Sequence, residues 1–147
     1  MARYTRFFVE DHSMSPHILP GDRLVTDQQW RRRGLKSGDV AIYRSEDVYL
    51  AKRVVGLPGD NIAVVGGVLV VNGLPFPDPW WAAATRPEGE WSVPPDCWFF
   101  LGDNRANSGL DSRVLGPIEG RKIHSRVVLR YRPWRRAARF KSTEIRG

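Results

Sequence analysis

A chain of 147 residues, 41% of them hydrophobic, is long enough to bury one core without covalent staples, so a single domain is expected. Its lone Cys97 excludes an internal disulfide, and three scattered His with one Cys do not form a zinc-type spacing, so neither a metal nor another cofactor is expected. The formal charge of +7 is unevenly spread: residues 121–147 carry ten Lys/Arg and one acid, whereas residues 1–120 carry thirteen Lys/Arg against fifteen Asp/Glu. A nearly neutral body with a cationic end argues against nucleic acid as the partner of a whole face, although the basic composition keeps that reading as a rival.

In chain order, Met1 to Arg6 has no apolar h-region behind it, and no apolar run approaches the ~18–20 residues of a spanning helix. Neither a transmembrane segment nor a signal peptide is therefore expected in this chain. Phe7 to Glu10 reads as a short strand leading to a bend at Asp11-His12-Ser13-Met14-Ser15, where Pro16 disfavours helix at Ser15. Three Gly-Asp turns follow, at Gly21-Asp22, Gly38-Asp39 and Gly59-Asp60, and each opens a β-branched run: Arg23 to Thr26, Val40 to Tyr43 and Ile62 to Val65. Between the first two, Asp27 to Arg33 predicts one or two helical turns stopped by Gly34.

Val48 to Gly56 predicts a strand whose alternation puts Leu50, Lys52 and Val54 on one face and Tyr49, Ala51 and Arg53 on the other. A lysine among apolar neighbours either snorkels to water or is desolvated, and desolvation turns the amine into a usable base. Gly66-Gly67 and Asn72-Gly73, flanking Val68 to Val71, are hairpin signals. Residues 74–95 are rich in Pro and Trp without a clear period and read as an irregular excursion. Cys97 to Leu101 and Ile123 to Tyr131 complete the strands, and Pro133 to Phe140 reads as a short basic amphipathic segment. The expected architecture is all-β: a mostly-β domain over residues 1–131 and a basic tail over residues 132–147.

Three stretches in order, Ser13-Met14-Ser15-Pro16, Lys52 to Asp60, and Gly102-Asp103-Asn104-Arg105 with Ser108, Asp111 and Arg113, resemble the bacterial type I signal peptidases. The resemblance spans about residues 8–131 and is thinnest over residues 74–95. It implies that family's mostly-β coiled-sheet fold, shared with the self-cleaving SOS repressors, here with a small hairpin extension. It also implies a serine endopeptidase in which Ser13 is the nucleophile and Lys52 the general base. Ser108 would orient the lysine amine, Asp111 and Arg113 would form a bracing ion pair, and Met14, Leu50 and Ala51 would line a pocket for a small residue before the cut.

This sequence departs from the family at four places. Asp11 stands where Gly, Ser or Thr is usual, beside the Ser13 amide of the implied oxyanion region, where a carboxylate repels developing negative charge. His12 and His17 replace small residues. Two residues separate Ser108 from Asp111 where one is usual, and the family's N-terminal anchor has no counterpart in the sequence. The expected substrates are proteins carrying signal or leader peptides. The expected location is peripheral membrane or cytoplasm, with the tail and Trp residues meeting an anionic membrane surface and no nucleic acid bound. A cytoplasmic leader-maturation peptidase and a catalytically impaired binding module are the alternatives on the same fold.

Overall fold

The three Gly-Asp turns are built alike in the computed structural model, which describes residues 2–141. In each, the aspartate carboxylate accepts from the amide three residues back: Leu19 N to Asp22 at 2.9 Å, Lys36 N to Asp39 at 2.8 Å and Leu57 N to Asp60 at 2.8 Å. The preceding glycines have φ of +91°, +95° and +90°, in the left-handed region that a side chain resists. The turns deliver the chain into β2 (Arg23–Asp27), β3 (Val40–Ser45) and β5 (Asn61–Val65). Between β2 and β3 the expected helical turn is the 3-10 segment Trp30–Arg32, whose buried Trp30 meets Trp98 edge-on.

The described residues form two antiparallel sheets. The larger, of eight strands, has the order β1-β2-β11-β3-β4-β9-β10, with β12 added to β11. Its remaining members are β1 (Tyr4–Phe8), β4 (Val48–Gly56), β9 (Cys97–Leu101), β10 (Ile118–Glu119), β11 (Ile123–Arg132) and β12 (Ala138–Arg139). The smaller has the order β7-β6-β5-β8, from β6 (Val68–Val71), β7 (Leu74–Pro75) and β8 (Gly89–Ser92). Its Gly66-Gly67 and Asn72-Gly73 turns all have positive φ, as the hairpin signals require. The helix α1 (Ser112–Leu115) is a single turn.

β4 is where the cores meet. Leu50 and Val54 join a cluster with Tyr43, Trp98 and Phe100; Val55 joins the cluster under the smaller sheet, with Ile62, Val64 and Phe99; Ala51 joins Val9, Met14 and Ile18. With apolar groups on both faces, β4 is buried from Leu50 through Gly56. At Gly56 a Cβ would stand 2.8 Å from both Ile62 Cδ1 and Phe99 Cβ, so the two sheets close on bare backbone there.

Two stretches carry more defined structure than the sequence reading gives. The excursion over residues 74–95 is less irregular than its composition suggests, because β7 and β8 fall within it and β8 pairs with β5. Trp80 and Trp91 pack against the core beneath the smaller sheet, and the Arg53 guanidinium lies 4.5 Å from the Trp80 ring centroid. The segment Pro133 to Phe140, read from the sequence only as short, basic and amphipathic, is a 3-10 turn over Trp134–Arg136 followed by β12. Residues 142–147, the end of the basic tail, lie outside the described residues.

Candidate active site

The bend carrying Ser13 is tied at its base and at its tip. Val9 N donates to Asp22 O at 3.0 Å and Gly21 N to Val9 O at 2.8 Å, which closes the loop. Inside it, Met14 and Ile18 point into the core beside Ala51, so the backbone on either side of Ser13 is anchored by apolar burial. From the opposite loop, Asn104 N donates to Ser13 O at 2.9 Å and Asn104 Nδ2 to His12 O at 3.0 Å. Ser13 is left 4% exposed.

The hydroxyl of Ser13 donates to Asp11 Oδ1 at 2.9 Å, and its amide donates to the same oxygen at 3.1 Å. Asp11 thus occupies both the attacking atom and the amide that the resemblance assigns to the oxyanion region.

Lys52 is 2% exposed, and its amine makes no hydrogen bond or ion pair among the described residues. Burial pulls its pKa below the ordinary 10.5, Arg113 pushes it the same way, and Asp11, Asp111 and Asp103 oppose the shift without overcoming it. Asp11 and Asp111 are the carboxylates hydrogen-bonded to Ser13 and Ser108, so the amine sits in the electrostatic field of the groups flanking both serines.

Ser108 donates to Asp111 Oδ2 at 2.9 Å. Arg113 grips that carboxylate through Nη2 at 2.7 Å and Nε at 3.0 Å, and Gly102 N donates to it at 3.1 Å. Burial raises the Asp111 carboxyl, but the Arg113 guanidinium, the Gly102 amide and the Ser108 hydroxyl outweigh it and hold the group below the usual carboxylate range. Gly109 and Leu110, the extra spacing, leave the pair intact. Tyr43 Oη donates to Leu110 O at 2.7 Å and ties this part of the loop to β3.

Met14, Leu50 and Ala51 lie together on the wall of a groove of about 550 Å³. The groove runs between residues 6–11, at the edge strand β1, and residues 47–51 of β4, which have no second strand partner until Arg53 pairs with Leu101.

Sequence reasoning passed over a second layer. Asp103, fully buried, receives Arg53 Nε at 3.1 Å and Nη2 at 2.6 Å, and His17 Nδ1 lies 3.1 Å away. Arg105 reaches Asp78 at 2.7 Å and Thr85 at 3.0 Å, and Arg113 donates to Arg86 O at 2.6 Å, so the Trp-rich excursion is fastened to the serine-bearing loop. Arg53 and Asp103 stand inside the quoted motifs, whereas Asp78 and Thr85 carry no sequence signal. Among the described residues, no group of His, Cys, Asp and Glu is arranged to hold a metal ion.

An antiparallel fold of this kind is shared by a family of serine hydrolases, and comparison with known proteins places the chain among them. The sequence profile of the family "Signal peptidase, peptidase S26" matches residues 1–134, and the chain belongs to that family. A signal peptidase I of Leptolyngbya laminosa is 29% identical over 140 residues, covering 86% of this chain and 68% of the relative. A probable signal peptidase I-2 of Synechocystis is 32% identical over 136 residues, covering 86% and 62%. The signal peptidase I of Bacillus caldolyticus is 31% identical over 154 residues, covering 92% and 83%. The crystal structure of a signal peptidase I from Enterococcus faecalis superposes with a TM-score of 0.56 at 23% identity, over 62% of this chain and 94% of that one, a likeness of fold.

Gly102 tests this geometry. A Cβ there would collide with Ser108 Oγ and stand 2.8 Å from Ser13 O, so both serines must shift. Gly102→Ala is expected to lower kcat/KM at least a hundredfold, since misplacement by about 1 Å costs that much, with the circular dichroism spectrum retained. Near-normal turnover would show that the two serines need not be held by this contact.

Proposed function

We propose that the chain is a serine endopeptidase in which a Ser13-Lys52 dyad removes signal or leader peptides after a small residue. The observation that carries this is the buried Lys52, whose amine has no hydrogen bond or ion pair among the described residues and feels the charges of Asp11 and Asp111, the carboxylates bound by Ser13 and Ser108. A neutral amine takes the proton of the Ser13 hydroxyl as its oxygen attacks the substrate carbonyl. The resulting ammonium gives that proton to the departing amine as the peptide bond breaks, leaving an acyl-serine. A water then adds to the acyl carbon, losing its proton to the neutral lysine, and the ammonium returns that proton to Ser13 Oγ as the acyl C–O bond breaks and the acid product leaves.

In this reading Ser108 has lone pairs to spare after donating to Asp111 and accepts an N–H of Lys52, which fixes the amine's direction. Asp111 and Arg113 act one step back, by holding Ser108. An extended peptide lies between β1 and the open edge of β4, with its small side chain against Met14, Leu50 and Ala51. Ser13→Ala and Lys52→Ala are each expected to abolish cleavage of leader peptides, and the double variant to lose no more, because the two act as one unit. In the active protein the rate should rise with pH through a midpoint below 10.5, because burial depresses the Lys52 pKa and only its neutral form serves. Turnover retained in either single variant, or a rate still climbing above pH 10.5, would refute the dyad.

Asp11 favours a second reading, a binding module on the same fold, because its carboxylate holds both the Ser13 hydroxyl and amide. For attack to occur, Ser13 must turn from Asp11 toward Lys52, and the carboxylate must leave the amide free for the oxyanion. Asp11→Ser and Asp11→Gly are therefore expected to raise kcat on the order of tenfold, about 1.4 kcal/mol of barrier. Failure of a serine-directed acylating inhibitor to label Ser13, in the parent and in both variants, would favour the binding module.

Attachment to an anionic membrane surface is proposed for the end of β11 and the turn after it, where Arg132 stacks on a Trp134 that is 74% exposed and Arg135 is exposed. Among the described residues no helix is long and apolar enough to cross a membrane. The test is Trp134→Ala with Arg135→Ala: sedimentation with anionic vesicles should fall and be salt-sensitive in the parent. Equal sedimentation of parent and variant would remove this segment from the attachment.

A further inference from the structure

The groove beside Ser13 is acidic in a basic protein. Its polar lining consists mainly of Glu10, Asp11 and Asp47, with Arg6 as the one cation among its charged side chains. The whole chain carries +7. Glu10 is exposed and makes no hydrogen bond or ion pair among the described residues. Asp47 has a fully exposed side chain whose ion pair, with Arg44, is long at 3.7 Å. Asp11 spends its hydrogen bonds on Ser13 rather than on a cation. Elsewhere in the fold the carboxylates are closely matched: Asp22, Asp27, Asp78, Asp103 and Asp111 each meet an arginine at 3.2 Å or less. Among the described residues the groove acids lack such a partner, as do Glu46, Asp60, Glu88 and Glu90 away from it, but only in the groove do three such carboxylates line one cleft beside Ser13.

Two further features point to an occupant from another molecule. The groove separates two backbone edges that lack a strand on that side, β1 and the first half of β4, so an extended segment can pair with either. The unpaired amine of Lys52, 2% exposed, lies in the field of Asp11, which lines this groove. An extended chain here presents side chains alternately to the apolar wall of Met14, Leu50 and Ala51 and to the rim. The rim positions face carboxylates contributed from both sides, Glu10 from one and Asp47 from the other.

We propose that Glu10 and Asp47 are specificity determinants that select peptide segments carrying Lys or Arg within a few residues of the cut. This rests on the reading of the groove as the peptide site and adds the charge class of the substrate. Carboxylates on a solvent-exposed rim attract a cation by screened Coulomb forces, so the selection acts on binding and weakens with salt. Peptides with acidic residues at the same positions are rejected by the same field, which is half of the discrimination.

The test uses fluorescently labelled decapeptides with Ala before the cut and a single Lys, Ala or Glu at each of the five preceding positions. Binding is read by polarisation on the intact Ser13→Ala protein, and cleavage on the parent. At one or more positions the Lys peptide should bind about tenfold more tightly than the Glu peptide in 50 mM salt and less than threefold more tightly in 500 mM. In cleavage the difference should appear in KM. Glu10→Gln with Asp47→Asn should erase the preference, Glu10→Lys should invert it, and Arg6→Ala should enlarge it; these side chains lie on the groove lining, away from the packed clusters. Equal binding of Lys and Glu peptides, or a preference that survives the double neutralisation, would overturn the proposal. Failure of the parent to cleave any peptide while the Ser13→Ala protein still prefers Lys would count against the peptidase reading and leave the charge selection standing.

Discussion

A lysine amine held out of water without a partner is the constraint around which this fold is arranged. Each unit of pKa depression costs about 1.4 kcal/mol in the charged form, and the protein imposes it by placing Lys52 on a strand buried from Leu50 to Gly56. That burial requires three apolar clusters to converge on β4, one from the larger sheet, one from under the smaller sheet and one from the Ser13 loop. The smaller sheet therefore contributes to the environment of an amine that it does not touch directly. It closes against β4 and β9 at Gly56 and Phe99.

The same constraint governs the charges nearby. Asp103 and Asp111 are buried close enough to favour a protonated lysine, and an uncompensated carboxylate there would undo the desolvation. Each is met by an arginine with two nitrogens engaged, Arg53 on Asp103 and Arg113 on Asp111. Burial alone would raise both carboxyls; His17 and Arg53 on Asp103, and Arg113 on Asp111, outweigh it and hold them ionised. Because both folded-state pKa values are depressed, the stability these pairs contribute is present above the unfolded carboxylate pKa of about 3.9. It is lost as pH falls through the lower folded values, so acid should loosen the Ser13 and Ser108 loops together. Asp11 is the exception. It has no arginine among the described residues, and it accepts instead from the Ser13 hydroxyl and amide.

Turns and strand faces were legible in the sequence because local chemistry determines them. Gly21, Gly38 and Gly59 need positive φ and their following aspartates close the turns, so those boundaries fall within a residue or two of the pattern. The alternation along β4 put Lys52 among apolar residues but left snorkelling and desolvation open, which the burial of the side chain decides, and the two glycine-rich hairpin turns fell where expected. Residues 74–95 were opaque for the opposite reason. β7 and β8 are two and four residues long, and β8 is held by pairing with β5, a contact that no local pattern encodes. Trp80 reads as a membrane-facing indole or as core with equal ease until Arg53 is found against its ring. Residue types and order singled out Ser13, Lys52, Ser108, Asp111 and Arg113; of the contacts expected among them the structure shows the Asp111–Arg113 pair, and it buries Ser13 and Lys52. The sequence placed Asp11 beside the Ser13 amide, but it held no sign that the carboxylate would take the Ser13 hydroxyl as well.

The cationic end of the chain shows how composition misleads when charges are counted without partners. Ten Lys/Arg after residue 120 suggest a free tether, yet Arg130 and Arg136 turn inward and grip Asp22, at 3.2 and 2.6 Å. Arg130 also donates to His17 O at 2.9 Å, and Phe140 packs near the cluster that holds Met14 and Ile18. Asp22 in turn caps Leu19, and its carbonyl receives Val9 N, the bond at the base of the Ser13 loop. Part of the cationic end is thus a clamp on the Ser13 loop, while Arg121, Lys122, Arg132, Arg135, Arg139 and Lys141 stay exposed. Deleting the tail would remove the clamp together with any surface attachment, so a loss of activity on truncation would not identify a membrane role. The two contributions separate only through side chains such as Trp134 and Arg135, which face solvent and touch neither Asp22 nor His17.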